Sequence, residues 1–181
     1  MRFTLRRKER VTLRSLRKGD LGACTKFVNQ LVRERQTNPL LGVTLDRLHT
    51  KKQEEEEYLT RVLDGIAKDE GVNVAAFVGE QMVGNCDIFR RKPSDVRHTG
   101  LLGIAILDGY RGLGLGQRML GILLGRAKEI GVTLVELEVF ANNERAIHLY
   151  RKRGFKVVGK IPRKIMRKGE YTDAIAMYAQ L

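Results

Sequence analysis

The run "RGLGLGQ", residues 111 to 117, sets glycine at every second position (Gly112, Gly114, Gly116) between two segments of different periodicity. Upstream, "TGLLGIAIL" is a short, strongly apolar run that reads as a strand. Downstream, "QRMLGILLGRAKEI" repeats its apolar residues at helical spacing. Glycine gives up more backbone freedom on folding than any other residue. Three of them at a strand-to-helix junction are therefore costly, and they raise the question of what the junction holds.

Two nucleotide motifs fail on spacing. A P-loop closes with Gly-Lys-Ser or Gly-Lys-Thr, whereas Gly116 is followed by Gln117 and Arg118. A dinucleotide fingerprint needs G-x-G-x-x-G, but the sixth position is Gln117 counted from Gly112 and Met119 counted from Gly114. Glu136 and Glu138 stand at about the right distance for a ribose contact. However, "DGY" separates strand from glycines, and too little chain follows for a doubly wound domain. What survives is a helix N-terminus where amide groups, free of Cβ atoms, converge on an anion. The competing reading is a flexible turn with a packing glycine.

Around this junction the chain reads as one domain, residues 1–181, with the element order β-α-α-β-β-β-α-β-α-β-β. "RVTLRSL" alternates as a strand. A helix follows with Asp20 as its cap, its apolar positions being Leu21, Cys24, Phe27, Val28 and Leu31. "NPLLG" breaks it. A second helix spans about Lys51 to Lys68, with Leu59, Val62, Leu63 and Ile66 inward. The glutamates Glu54 to Glu57 suit its dipole-favoured start, or attract a cationic amine. "VNVAAFV" and "MVGNCDIF" form a hairpin about Gly79 and Glu80. "VTLVELEVF" is a strand, "NNERAIHLYRKRG" a helix, and short strands near "FKVVGK" and "DAIAMYA" end the chain.

Charge narrows the partners. Thirty-four Lys and Arg against 21 Asp and Glu give a net +13, a field that attracts nucleic acid, membrane surfaces or a phosphate-rich cofactor. The excess gathers in the first eighteen residues and in 151–168, which contains no acid. The plain reading is a solvated basic surface; ribosome or nucleic-acid association is the alternative. Against it, the 151–168 stretch has only Phe155 to stack on bases. No apolar run reaches a membrane span, and "MRFTLRRKER" leads into no apolar core, so neither membrane nor secretion is expected. Cys24 and Cys86 have neither metal nor redox spacing. A reducing, cytoplasmic setting without a structural metal follows as the expectation.

The residues from Arg111 to Gly116 also match a signature, Q/R-x-x-G-x-G/A, and the chain resembles the GNAT superfamily of acetyl-CoA-dependent N-acyltransferases. "LVELEVFANNERAIHLYRKRGF", 134–155, is similar to the second motif of that superfamily at every lettered position. The nearest likeness is to ribosomal-protein-alanine N-acetyltransferases, with which the chain shares a "DAI-x-M" ending. "GEYTDAIAMY" is also similar to enzymes that acetylate small amines and amino acids.

The resemblance implies an α/β (α+β) fold: a mixed, mostly antiparallel sheet, splayed at its middle strands and flanked by helices. Acetyl-CoA would enter the splay as cosubstrate. Its pantetheine would pair with the backbone of Ile104, Ala105 and Ile106, and its pyrophosphate would lie on the amides of Gly112, Leu113, Gly114, Leu115, Gly116 and Gln117. Arg111 would open that loop, and Asn143 would touch the cofactor or cap its helix. An amide near Ile106 or Leu107 would polarise the thioester carbonyl. Glu138 would take the amine proton through water, and Tyr150 would protonate the leaving thiolate. The acceptor would be a primary amine: a protein N-terminus, a lysine, or a small amine or amino acid. The superfamily builds its acceptor site from the early helices and the last hairpin. Another acyl donor is the runner-up, and a homodimer through the last strand is compatible. His49, His98 and His148 receive no catalytic role, His148 being assigned to the helix side away from the neighbours of Tyr150.

Overall fold

The alternating run from Arg10 pairs as a strand, but it has a neighbour that periodicity did not reveal. In the computed structural model, which describes residues 1–5, 9–37 and 52–181, β1 (Arg2–Thr4) lies antiparallel to β2 (Arg10–Arg14), with Phe3 opposite Val11. Three residues are too few for alternation to register. The "NPLLG" breaker and His49 lie outside the described residues.

The long elements follow the sequence closely. They are α1 (Leu21–Thr37), α2 (Lys52–Ala67), β3 (Gly71–Val78), β4 (Gln81–Arg90), β5 (Thr99–Ile106), α3 (Leu115–Glu129), β6 (Leu134–Phe140) and α4 (Glu144–Lys152). Gly79, at φ +57°, opens the two-residue turn between β3 and β4. The last two strands are not short. β7 (Lys156–Arg167) and β8 (Glu170–Gln180) form one long hairpin around Lys168 and Gly169, both at positive φ (51° and 82°), as a tight two-residue turn requires. Most of β7 is exposed and its apolar residues fall in pairs or singly without alternating, so it lacks the pattern that reveals a strand.

Among the described residues, eight strands form one sheet in the order β1-β2-β3-β4-β5-β6-β8-β7. Every neighbouring pair is antiparallel except β5 with β6. This is the mixed, mostly antiparallel sheet expected. Its two faces are distinct. Gly84 lies under α3, where an added Cβ would stand 3.1 Å from the Met119 sulfur. The next residue, Asn85, bonds Tyr58 of α2 on the opposite face. The core packs Leu115, Met119, Leu120 and Leu123 of α3, all with no exposed surface, against Val74, Val83 and Ile88 of the sheet.

Asp20 does more than precede α1. Its carboxylate accepts from both terminal nitrogens of Arg14, at 2.6 and 2.8 Å, and from the Arg17 amide at 2.7 Å, tying β2 to the start of the helix. The Arg14 bonds hold the Asp20 carboxyl below the usual carboxylate range. A lowered folded pKa stabilises fully above the unfolded value, and the contribution disappears as pH falls through the folded one. Asp20→Asn is therefore expected to cost about 1–2 kcal/mol at neutral pH, allowing for partial solvent screening. In a urea titration repeated across pH, the difference from wild type should vanish as the solution is made strongly acidic.

Candidate functional site

The parallel pair that breaks the antiparallel order also opens the sheet. β5 and β6 are paired only at Thr99–Leu134, Gly100–Val135 and Leu101–Glu136. Beyond that point β5 stays with β4 while β6 stays with β8, and the two middle strands separate. The cleft between them has a volume of about 690 Å³ and is closed by the glycine loop and α4.

Backbone geometry determines what the cleft offers. The Leu107 amide donates to Val83 O at 3.0 Å, so it is spent on β4, and of the two amides expected to polarise a substrate carbonyl only that of Ile106 is left. Successive residues of a strand address opposite neighbours. Leu107 and Ala105 therefore turn their backbone edges to β4, whereas Ile104 and Ile106 turn theirs to the splay. Of the expected trio, these two carry the edges that β6 has vacated. The Ile106 carbonyl is already taken by Arg111 Nε at 2.7 Å, which leaves its amide.

The three glycines answer to two different constraints. Gly112 and Gly114 hold φ of 77° and 82°, the left-handed region, with nothing within 4 Å of an added Cβ. Backbone conformation, not space, selects glycine there. Gly116 is limited by space instead, because a Cβ would stand 3.1 Å from Leu149 Cδ2 and 3.2 Å from Ile106 Cδ1. It lets the first turn of α3 seat against α4 and β5. The helix N-terminus then presents unsatisfied amides and partial positive charge at the cleft.

Most of the residues singled out in the sequence meet at this cleft: Ile104, Ala105, Ile106, Arg111, Gly112, Leu113, Gly114, Gly116, Gln117, Glu138, Asn143 and Tyr150 all line it. Leu115 is the exception, its side chain wholly buried in the core beneath the loop. Arg111 lines the cleft with its guanidinium occupied: Nη2 bonds Glu34 of α1 at 2.6 Å and Nη1 bonds Asp108 at 3.1 Å. It braces the loop against α1. Asn143 caps α4, its Oδ1 accepting from the Ala146 amide at 3.2 Å, which leaves the Nδ2 donor.

Tyr150 is buried, with its ring 5.7 Å from that of Phe155. Its hydroxyl makes no hydrogen bond among the described residues, and burial pushes the phenol up, so it stays protonated. Glu138 is half-exposed on the opposite wall, with Lys164 of β7 at 3.5 Å. The far end of the last hairpin folds over this wall. Arg167 stacks on Phe140 at 4.9 Å, and Lys168 donates to Gln36 O at the end of α1. Within the basic 151–168 stretch, Lys160 bonds Asp173 at 2.8 Å, and Arg163 lies 4.1 Å over Tyr171. Much of that charge is consumed within the fold.

Three polar cleft residues were missed. Arg145, His148 and Lys152 of α4 also line it, so His148 shares the cleft with Tyr150 rather than facing away. The signal was present in their spacing: 145, 148 and 152 recur at i, i+3 and i+7, one face of a helix. Two cations at that spacing suit an anionic ligand.

Residues 35–155 match the Acetyltransferase (GNAT) family. The chain belongs to the GNAT family of acetyltransferases. Among solved structures, this GNAT chain is similar to an acetyltransferase of the same family from Streptococcus pneumoniae, with a TM-score of 0.83 and 26% identity over 94% of this chain and 99% of that one. It shares the fold of a Salmonella typhimurium protein solved with its cofactor acetyl-CoA (TM-score 0.79, 20% identity, 94% of each chain). An N-alpha-acetyltransferase from Sulfurisphaera tokodaii is 39% identical over 93 residues, covering 51% of this chain and 54% of the relative. The GNAT chain thus spans about half the length of that curated relative, and less of the next two.

Proposed function

We propose that the chain is an N-acetyltransferase that moves an acetyl group from acetyl-CoA to a primary amine, by direct attack of the amine on the thioester. The observation that carries this reading is the splay itself. Half of β5 leaves the backbone edge of Ile104 and the amide of Ile106 unpaired among the described residues, beside a left-handed glycine loop at a helix N-terminus. An extended amide-bearing arm can add to such an edge as a partial strand, and a pyrophosphate fits amides that no Cβ obstructs. Arg145 and Lys152 add positive charge on the same cleft. Acetyl-CoA, when bound, supplies the activated acyl group.

The remaining work falls to the side chains. Tyr150, whose ring is buried and which lines the cleft, holds its proton and gives it to the departing thiolate; the raised pKa keeps it a donor at neutral pH. Glu138 takes the amine proton through water, with the Lys164 ammonium 3.5 Å from its carboxylate. The Ile106 amide, freed by the splay, donates to the carbonyl oxygen as charge develops there. The acceptor is a protein amino group or a small amine.

Thermal unfolding with acetyl-CoA, against NADH and ATP as comparators, tests the reading. A ligand at a hundred times its dissociation constant adds about 2.7 kcal/mol, enough to raise the midpoint by several degrees. A rise with acetyl-CoA alone is expected. A larger rise with NADH would overturn the assignment.

A further inference from the structure

A second cleft, of about 890 Å³, lies between α2 and the β4–β5 pair and has no part in the roles above. It is on the face of the sheet that carries α2, and it shares Leu102 and Gly103 with the first cleft. Gly103 is opposite Asp87 in the β4–β5 ladder, so the two belong to one face.

Asp87 ends a chain of hydrogen bonds that begins in the core. Asn73, 1% exposed, accepts from the Leu16 amide at 3.0 Å and donates to Asn85 Oδ1 at 2.9 Å. Asn85 Nδ2 donates to the Tyr58 oxygen at 2.6 Å, and the Tyr58 hydroxyl donates to Asp87 Oδ2 at 2.5 Å. Every link but the last is satisfied. Asp87 Oδ1 has no hydrogen-bond partner among the described residues and stands 3.2 Å from where a Cβ on Gly103 would be. A purely structural carboxylate in a network this ordered would have both oxygens engaged. Here one is held rigid and left open, next to the only residue type that does not cover it.

The surroundings favour a cation. Most basic side chains on the cleft are engaged, Arg91 with Glu136 at 3.0 Å, Arg97 with Glu70 at 3.8 Å and Arg90 with the carbonyls of Arg97 and Ile130, while Lys92 also lines it and Arg61, over the rings of Tyr58 and Phe89, acts on Asp87 through its charge without bonding Oδ1. Glu56, Glu57 and Asp64 of α2 line the same cleft. Burial pushes the Asp87 carboxyl up, a cost that an arriving positive charge relieves.

We propose that Asp87 Oδ1 anchors the amino group of the acceptor, which enters from the α2 side as an alkylammonium, gives up a proton through water to Glu138, and meets the thioester across Gly103 as the neutral amine. Phe89 and Leu101, on the same face, receive the carbon chain beside it. This rests on the acetyltransferase reading and adds the acceptor's route and anchor.

The test separates the two. Amide resonances of the full chain, saturated with coenzyme A, are followed while n-butylammonium chloride is added, with n-butanol as the neutral comparator. Saturable shifts at Asp87 and Gly103 are expected with the amine and not with the alcohol. Asp87→Asn should weaken that response about 10- to 100-fold, the worth of a charge-assisted bond, while leaving the coenzyme A shifts of Gly112 to Gln117 intact. Gly103→Ala keeps the carboxylate but crowds Oδ1, and should weaken the amine response in a chain that keeps the Asp87 network. No amine shift in the wild type, or an equal one in both variants, overturns the anchor. Absence of coenzyme A shifts at the glycine loop would instead overturn the acetyltransferase reading.

Discussion

Tyr150→Phe is expected to slow acetyl transfer by about 10²- to 10⁴-fold, the range for loss of a positioned proton donor, with no change in acetyl-CoA affinity. The ring survives the substitution, and with it the contact to Phe155. The fold loses no hydrogen bond, because the hydroxyl it removes has no partner among the described residues and Tyr150 lines the cleft. The midpoint of thermal unfolding should therefore hold or rise slightly. Thiol release after mixing enzyme, acetyl-CoA and amine reads the rate, and calorimetry reads the affinity. A variant that keeps wild-type rates at every pH would remove Tyr150 from the chemistry. A variant that loses affinity as well would make it a binding residue.

Gly112→Ala combined with Gly114→Ala should weaken acetyl-CoA binding by about 30- to 1,000-fold, since each left-handed alanine costs about 1–2 kcal/mol. The direction of the compensation follows from the surroundings. Nothing lies within 4 Å of either Cβ position, so the loop can relax to ordinary φ without disturbing the core. Stability should then be nearly unchanged while the amides point elsewhere. Calorimetry with acetyl-CoA beside a thermal melt distinguishes the cases. Lost affinity with an intact melt is expected. Unchanged affinity would mean that the two glycines turn the chain and hold nothing.

These two predictions draw on information of different origin. The strand, glycine run and helix from Thr99 to Glu129 were legible because each is a local pattern: an apolar run, a spacing, a 3.6-residue period. The second motif was legible for the same reason, and it brought Glu138, Asn143 and Tyr150 to the cleft together. Between the amides of Ile106 and Leu107 the spacing could not choose, because Val83 O, which takes that of Leu107, lies across a strand boundary and beside an irregularity in β4. Leu115 turns its side chain into the core while its amide stays in the first turn of α3, a division between side chain and backbone that spacing does not reveal.

Other features depend on contacts between distant parts of the chain. Arg111 reads as a ligand for an anion, yet Glu34, seventy-seven residues away in sequence, takes its guanidinium. Asp87 reads as one polar residue in a half-buried strand. It becomes a candidate anchor only because Tyr58 of α2, held by Asn85 of the same strand, occupies one of its oxygens and Gly103 of β5 leaves the other uncovered. Local sequence, through backbone preference and side-chain period, determined which segments are strand, loop and helix and which motif they carry. Tertiary structure alone decided which polar atoms are spent and which are free, because a hydrogen-bond partner is chosen by distance in space, and the folded sheet sets that distance.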